Sequence, residues 1–262
     1  MPKPELKDRY DRDGFLINAT DLLPEGVVRR AAEGMAAVRR GEYDTGKPPE
    51  SSPWKPGDSD NVLCKIEQPQ LASSAIGELI RHPLLGEWAA AATGAKRVQV
   101  WWVQLLHKPP TPVNVKSGTN VGWHQDRAYW GAWTPQSELF TLWVALSDVT
   151  AQSGPMAFVP GSHRWGLQAA SDFYAQDLQA LKAKVNIPAG ERWEEITAIL
   201  PPGGFTIHDD LTWHGSGPNH TSSPRKSFAI HLRTDKSEPI GGKREGLTKF
   251  IDDPSVCPWI YP

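Results

Sequence analysis

The chain has 262 residues, enough for one sizeable core, and 28 basic against 30 acidic side chains leave a formal net charge of −2. That dispersed near-balance excludes the usual polyanion binder, so no nucleic-acid partner is expected. Cys64 and Cys257 are too few for a disulfide framework, the first residues are polar, and no apolar run is long enough to span a bilayer; a cytoplasmic protein with no membrane partner is expected.

Helices dominate the first third. Asp21 to Arg40 carries Leu22, Val27, Val28, Ala31, Met35 and Val38 at a rough helical period, Gly41 stops it, and Tyr43 to Asp60 is a Pro/Ser/Gly-rich loop. Leu71 to Ala92 reads as helix again, broken or restarted at Pro83. Strands take over after Ala95. Val98 to Leu106 places Val98, Val100, Trp102, Gln104 and Leu106 on one face, and Lys108-Pro109-Pro110 ends it. Leu139 to Asp148 alternates Phe140, Leu142, Val144 and Leu146 against Thr141, Trp143, Ala145 and Ser147. Met156 to Pro160 is a short strand, and Ser171 to Lys184 a helical or irregular insertion. Glu194 to Leu200 and Phe205 to His208 flank a Pro-Pro-Gly-Gly turn, and Arg225 to Arg233 alternates Phe228, Ile230 and Leu232 against Arg225, Ser227, Ala229, His231 and Arg233.

Two strands thus have one strongly apolar face and one small, polar or aromatic face. Early helices covering the apolar faces would leave the others lining a barrel interior. The expectation is a mainly β protein with flanking helices, a jelly roll or cupin-like double-stranded β-helix, in one domain over 1–262. Within it, 1–95 is the mostly helical part, 96–235 the barrel core and 236–262 a C-terminal tail. Some of the twelve Trp should line the pocket.

His124-Gln125-Asp126 supplies an imidazole and a carboxylate that share a side if the segment is extended, with Gln125 pointing elsewhere unless the strand bends. Two imidazoles and one carboxylate with open positions is the ligand set of non-haem Fe(II) oxygenases, so a later His is needed. His163, His208, His214, His220 and His231 are the candidates; His214 is favoured because it follows a strand and precedes Arg225 by eleven residues, a span a hairpin could close. His208 suits an interior hydrogen-bonding role, His220 a solvated loop, His163 a turn and His231 the cavity wall.

Together these residues resemble the phytanoyl-CoA dioxygenase family of Fe(II)/2-oxoglutarate oxygenases. The resemblance runs through Tyr10-Asp11-Arg12-Asp13-Gly14-Phe15, Lys108-Pro109-Pro110, Trp123-His124-Gln125-Asp126, Gly154-Pro155-Met156, Val159-Pro160-Gly161-Ser162-His163 and His214-Gly215-Ser216-Gly217-Pro218-Asn219 to Arg225. It implies His124, Asp126 and His214 as iron ligands, Arg225 as the partner of the far carboxylate of 2-oxoglutarate and Ser216 as its hydrogen-bonding neighbour. Trp143, Thr141, Gln104, Lys65 and Gln125 fall at or beside further cosubstrate positions; Lys65 reads equally as a solvated surface residue. Fe(II), 2-oxoglutarate and O2 are the implied cofactors, with succinate and CO2 as by-products. Related halogenases lack the carboxylate that Asp126 provides, so hydroxylation of an aliphatic carbon is the expected outcome.

Tyr129, Trp130 and Trp133 follow the triplet closely enough to cover a substrate, and Trp102 and His231 share inward faces with Gln104 and Arg225. No basic cluster calls for a CoA phosphate, so a small or medium-sized metabolite is expected, with an acyl-CoA kept open, acted on by a monomer or small homo-oligomer. The competing readings are a cupin-like metal-binding protein and an idle sensor, neither with oxygenase activity.

Overall fold

The structure, a computed structural model, describes residues 3–112 and 118–262. In chain order its elements are α1 (Lys3–Asp13), β1 (Phe15–Asn18), α2 (Glu25–Arg39), β2 (Cys64–Glu67), α3 (Ser74–Ile80), α4 (Pro83–Thr93), β3 (Val98–Lys108), β4 (Val121–His124), β5 (Leu139–Ala145), β6 (Met156–Phe158), α5 (Leu178–Lys182), β7 (Ile196–Thr197), β8 (Phe205–Asp209), β9 (His214–Ser216), β10 (Arg225–Thr234) and β11 (Trp259–Tyr261). The three long alternating segments are neighbours at the centre of the larger sheet, ordered β1-β8-β5-β10-β3-β11, with β2 also pairing β3. A shorter sheet, β4-β9-β6-β7, faces it. Two antiparallel sheets closed around a pocket, with helices on one outer face, make the jelly roll expected from the alternation.

The alternation works as follows. Phe140, Leu142 and Val144 of β5 and Phe228, Ile230 and Leu232 of β10 turn outward into one core with Val28, Ala31, Met35 and Val38 of α2 and residues of α3 and α4. Each such side chain, taken fully out of water, contributes roughly 1.5–3 kcal/mol before chain entropy is charged against it. The opposite faces turn inward. Between the sheets Trp143, Ala145, Leu106 and Ala229 meet Met156 and Phe158, and Phe15 stacks on Phe158 at 4.8 Å.

Several boundaries differ from the sequence reading. α2 begins at Glu25 because Pro24 takes the extended cap position, and Leu22 is left exposed before it. Pro83 restarts the second helical run at its first turn, where a missing N–H costs nothing, and Gly94 ends α4 at φ 73°. β3 does not keep one face: the pairing with β10 slips between His231 and Leu232, so Trp101 is an extra residue. Val98 and Val100 therefore join Val103 and Leu105 on the helix side, while Trp102, Gln104 and Leu106 face the interior side. Glu194 to Leu200 shrinks to two strand residues, β7. β1 and β2, inside the region read as helical, and β11 in the tail are short edge strands that carry too few residues for a visible period.

β11 is held beneath α4. A Cβ at Gly86 would overlap the carbonyl oxygen of Ile260, a backbone atom that cannot rotate away. Gly86→Ala should therefore lift the C-terminal strand and destabilise the fold by about 1–3 kcal/mol, read as a lowered urea midpoint with an unchanged slope.

Candidate metal and cosubstrate site

Strand pairing builds the centre. β4 ends on His124 and β9 begins on His214, and the two are direct antiparallel partners. Each ring is pinned from behind: His124 Nδ1 donates to the Gly122 carbonyl at 2.8 Å and His214 Nδ1 to the Thr212 carbonyl at 2.9 Å. A neutral imidazole that donates from Nδ1 presents a bare Nε2. Both Nε2 atoms face Asp126 Oδ1, at 3.5 and 3.8 Å. Asp126 reaches that position because Gln125 is extended, and it then opens a short 3-10 turn rather than continuing the strand. The three donor atoms lie within 4.8 Å of one another and all three residues are buried, a set that fits one divalent cation.

Behind this set a polar relay holds the carboxylate. Thr141 Oγ1 donates to Asp126 Oδ2 at 2.6 Å, leaving Oδ1 free, and accepts from His231 Nδ1 at 2.8 Å. Hydrogen bonds of this kind orient a metal ligand and set its basicity. Burial opposes ionisation of Asp126, but the surrounding imidazoles of His214, His124 and His208 outweigh it and hold its carboxyl well below the usual range. Burial and the neighbouring rings keep His214 neutral. A carboxylate beside a neutral imidazole, as at Asp126 and His214, is what metal binding requires of those two groups.

The five candidate histidines now separate. His214 converges with the triplet. His208 lies beside it, Nε2 3.4 Å from Asp126 Oδ2, with neither ring nitrogen hydrogen-bonded. His231 is one hydroxyl removed. His163 faces the Asp11 carbonyl at 3.2 Å and His220 the Thr111 carbonyl at 3.1 Å, both far from the cluster in role.

Arg225 opens β10 and is 1% exposed. It donates to Gly154 O and, at 3.0 Å, to Ser216 Oγ, lies 5.0 Å over the Trp143 ring, and leaves Nε without a partner. Burial lowers its pKa to about 9. Beside it is a buried lysine that sequence reasoning missed. Lys108 Nζ, fully buried, donates to Ser216 Oγ at 2.6 Å and to the carbonyls of Ser216 and Gly217. Among the described residues no carboxylate pairs with either side chain. Burial and the neighbouring Arg225 push the Lys108 amine well below its usual pKa. The buried guanidinium, with its Nε and the Trp143 Nε1 unpartnered among the described residues, fits a carboxylate from a ligand. Lys108 was legible as the next inward residue after Trp102, Gln104 and Leu106, but its place before Pro109 read as a strand end.

The cleft between metal set and Arg225 is lined by Gln104, Leu106, Thr141, Trp143, Met156 and Ala229, among others. It opens into an outer cavity of about 290 Å³ bounded by Lys65, Glu67, Trp102, Tyr129, Trp130 and Phe173 with their neighbours. Gln104 and His231 border both spaces. Lys65 borders only the outer one, and is neither solvated nor near Arg225.

Two expected site residues lie elsewhere. Gln125 points away from the cavity, its amide donating to the carbonyls of Gly166 and Leu211 and accepting from Gln168 N, so it braces loops instead of touching cosubstrate. Trp133 packs on Trp101 at 5.3 Å inside an apolar cluster, behind the wall and not in it. Arg127, next to the triplet, pairs with buried Asp210 at 3.2 Å. Glu67 and Phe173 were missed: the first because β2 was not recognised, the second because its segment has no period. Phe173 reaches the His124 ring, 5.1 Å away, because Gly122 has no Cβ to collide with the Asp172 carbonyl.

Comparison with known proteins gives the same picture. The family model described as phytanoyl-CoA dioxygenase (PhyH) matches residues 10–227. The chain is 27% identical over 195 residues to a probable alpha-ketoglutarate-dependent hypophosphite dioxygenase of Stutzerimonas stutzeri, covering 72% of this chain and 63%, just under two thirds, of that protein. It is 29% identical over 233 residues to the ectoine dioxygenase of Bordetella parapertussis, covering 82% of this chain and 70% of the relative. The crystal structure of the non-heme alpha ketoglutarate dependent epimerase SnoN from nogalamycin biosynthesis superposes with a TM-score of 0.67 at 25% identity, over 90% of this chain and 84% of that one. No helix among the described residues is long and apolar enough to cross a membrane.

Burial of His231 lowers its pKa to about 4, and burial likewise takes His107 to about 4. Both are neutral in the fold and free to protonate near pH 6.5 when unfolded. Stability should therefore start to fall as pH drops below about 6.5 and go on falling until about 4, by up to roughly 1.4 kcal/mol per pKa unit for each group. Urea unfolding at stepped pH checks this, and His231→Gln should flatten the slope in that window.

Proposed function

The chain belongs to the phytanoyl-CoA dioxygenase family of non-haem Fe(II)- and 2-oxoglutarate-dependent dioxygenases, and we propose that it hydroxylates an aliphatic carbon of a small or medium-sized metabolite, by the residues assembled above. The observation that carries this reading is the coexistence, across one cleft, of a His-Asp-His set and a buried Arg225 that has no carboxylate partner among the described residues. On this reading His124, Asp126 and His214 hold Fe(II), and Arg225 with Ser216 anchors the far carboxylate of 2-oxoglutarate. When bound, iron and 2-oxoglutarate together activate O2, with release of succinate and CO2.

The chain's own contribution is position and exclusion of water. Thr141 keeps one oxygen of Asp126 turned away, so the carboxylate offers a single donor and leaves open positions for cosubstrate and O2. Trp143 and Leu106 wall the cleft, which strengthens every charge interaction inside it. Asp126 itself favours hydroxylation over halogenation, because it occupies the position a halide would need. The molecules for which the two relatives are named, hypophosphite and ectoine, are both small, in keeping with an outer cavity of about 290 Å³. The protein is expected to act alone or as a small homo-oligomer in the cytoplasm.

His124→Ala and Asp126→Ala should each lose Fe(II), measured as metal per chain, and should release no succinate above background at ordinary iron concentrations. Arg225→Ala should weaken 2-oxoglutarate binding by roughly 10- to 100-fold, the value of a charge-assisted pair of about 1.5–3 kcal/mol. Lys108→Met should weaken it in the same direction while affecting 2-oxovalerate, which lacks the far carboxylate, much less. Unchanged cosubstrate affinity in Arg225→Ala would show the assumed pose to be wrong.

A further inference from the structure

The outer cavity contains a pair of opposite charges that the proposed iron chemistry does not use. Lys65 and Glu67 alternate on β2 and both point inward, at 16% and 14% side-chain exposure, with Lys65 Nζ 3.3 Å from Glu67 Oε1. Glu67 is held in place: its Oε2 accepts the indole N–H of Trp102 at 2.6 Å, and its backbone N–H donates to Ser52 Oγ. Lys65 Nζ lies 4.6 Å over the Phe173 ring, and Glu67 is its one ion-pair partner among the described residues, so donors remain for a ligand.

A third polar atom faces the same space. Thr141 donates its only proton to Asp126, so its oxygen must accept from His231 Nδ1–H. His231 is then neutral with a bare Nε2, which is buried, has no partner, and borders the cavity beside the Trp130 ring at 4.9 Å. The cavity thus offers two acceptors, Glu67 and His231 Nε2, and one cationic donor, Lys65, between aromatic walls.

We propose that this cavity is the seat of a compact zwitterion, a small metabolite whose ammonium group meets Glu67 and His231 and whose acid group meets Lys65. This rests on the oxygenase reading of the same site and specifies its substrate class. An alkyl chain would strip water from the Lys65–Glu67 pair and return nothing, which is the costly way to bury charge. A purely anionic or purely cationic ligand would satisfy one partner and strand the other. A zwitterion brings both charges, adds none in net, and sets its cationic end against ring faces that attract it. The volume, about 290 Å³, suits a molecule of amino-acid size rather than a CoA thioester.

The test uses matched triads: L-proline, L-pipecolate and L-valine, each with its methyl ester (a net cation) and its N-acetyl derivative (a net anion). Each is titrated anaerobically into protein loaded with Fe(II) and 2-oxoglutarate. The readouts are the weak visible band of the iron–cosubstrate complex and, separately, the melting temperature. In at least one triad the zwitterion should perturb the protein at a concentration roughly tenfold or more below either derivative, since each lost charge contact is worth about 1.5–3 kcal/mol. Glu67→Gln should shrink the margin over the N-acetyl compound and Lys65→Met the margin over the ester. Response to no zwitterion, equal response to the derivatives, or margins unchanged in both variants overturns the proposal. Failure of the band to form with iron and 2-oxoglutarate alone would instead count against the oxygenase reading, with the melting shifts still testing the seat.

Discussion

The pairing of β4 with β9 is the constraint on which the rest depends. It sets His124 directly opposite His214, two residues ninety positions apart in the chain. Their rings are then locked by carbonyls two residues back in the chain, so geometry and tautomer come from backbone alone. Asp126 needs only an extended Gln125 to arrive between them. The smaller sheet would be a weak structure by itself, with strands of two to four residues. Its position is secured by the larger sheet, whose outward faces are buried under helices and whose inward faces carry the polar groups.

A second consequence of the closed sandwich is that a guanidinium can be held in it with no carboxylate partner among the described residues. Arg225 lines one end of the cleft and Lys108 stands beside it on Ser216, both buried and held by carbonyl oxygens of the loops around Gly154 and Gly217. A buried guanidinium without a carboxylate partner is costly, and an anionic group entering the cleft would offset that cost. The relay from Asp126 through Thr141 to His231 joins the candidate metal set to the outer cavity, so the two spaces share one hydrogen-bonded wall.

Much of this was legible in the chain. Residues 139–145 and 225–234 alternate because one face meets helices and the other meets the pocket, and that contrast exposed both strands and named Thr141, Trp143, Arg225 and His231 as inward. The same logic failed at β3, where the extra residue Trp101 reverses the alternation, and at β1, β2 and β11, which are too short to show a period. Glu67 was hidden by the second failure. Gln125 and Trp133 were placed near the site by proximity in sequence, and proximity does not decide direction: one braces loops and the other fills a tryptophan cluster.

The sequence by itself determined the chemistry available: two imidazoles, a carboxylate and a guanidinium in an order resembling one enzyme family, on strands whose inward faces follow from period-2 patterning. That much is local, since residue type and alternation are properties of short segments. The tertiary structure brought His214, the histidine the resemblance pointed to, onto the triplet, and it alone decided that Lys108 stands beside Arg225 and that Lys65 and Glu67 face the outer cavity. Those outcomes depend on strand register, on one bulge and on the Cβ-free contact at Gly122, and each is set by packing between segments far apart in the chain.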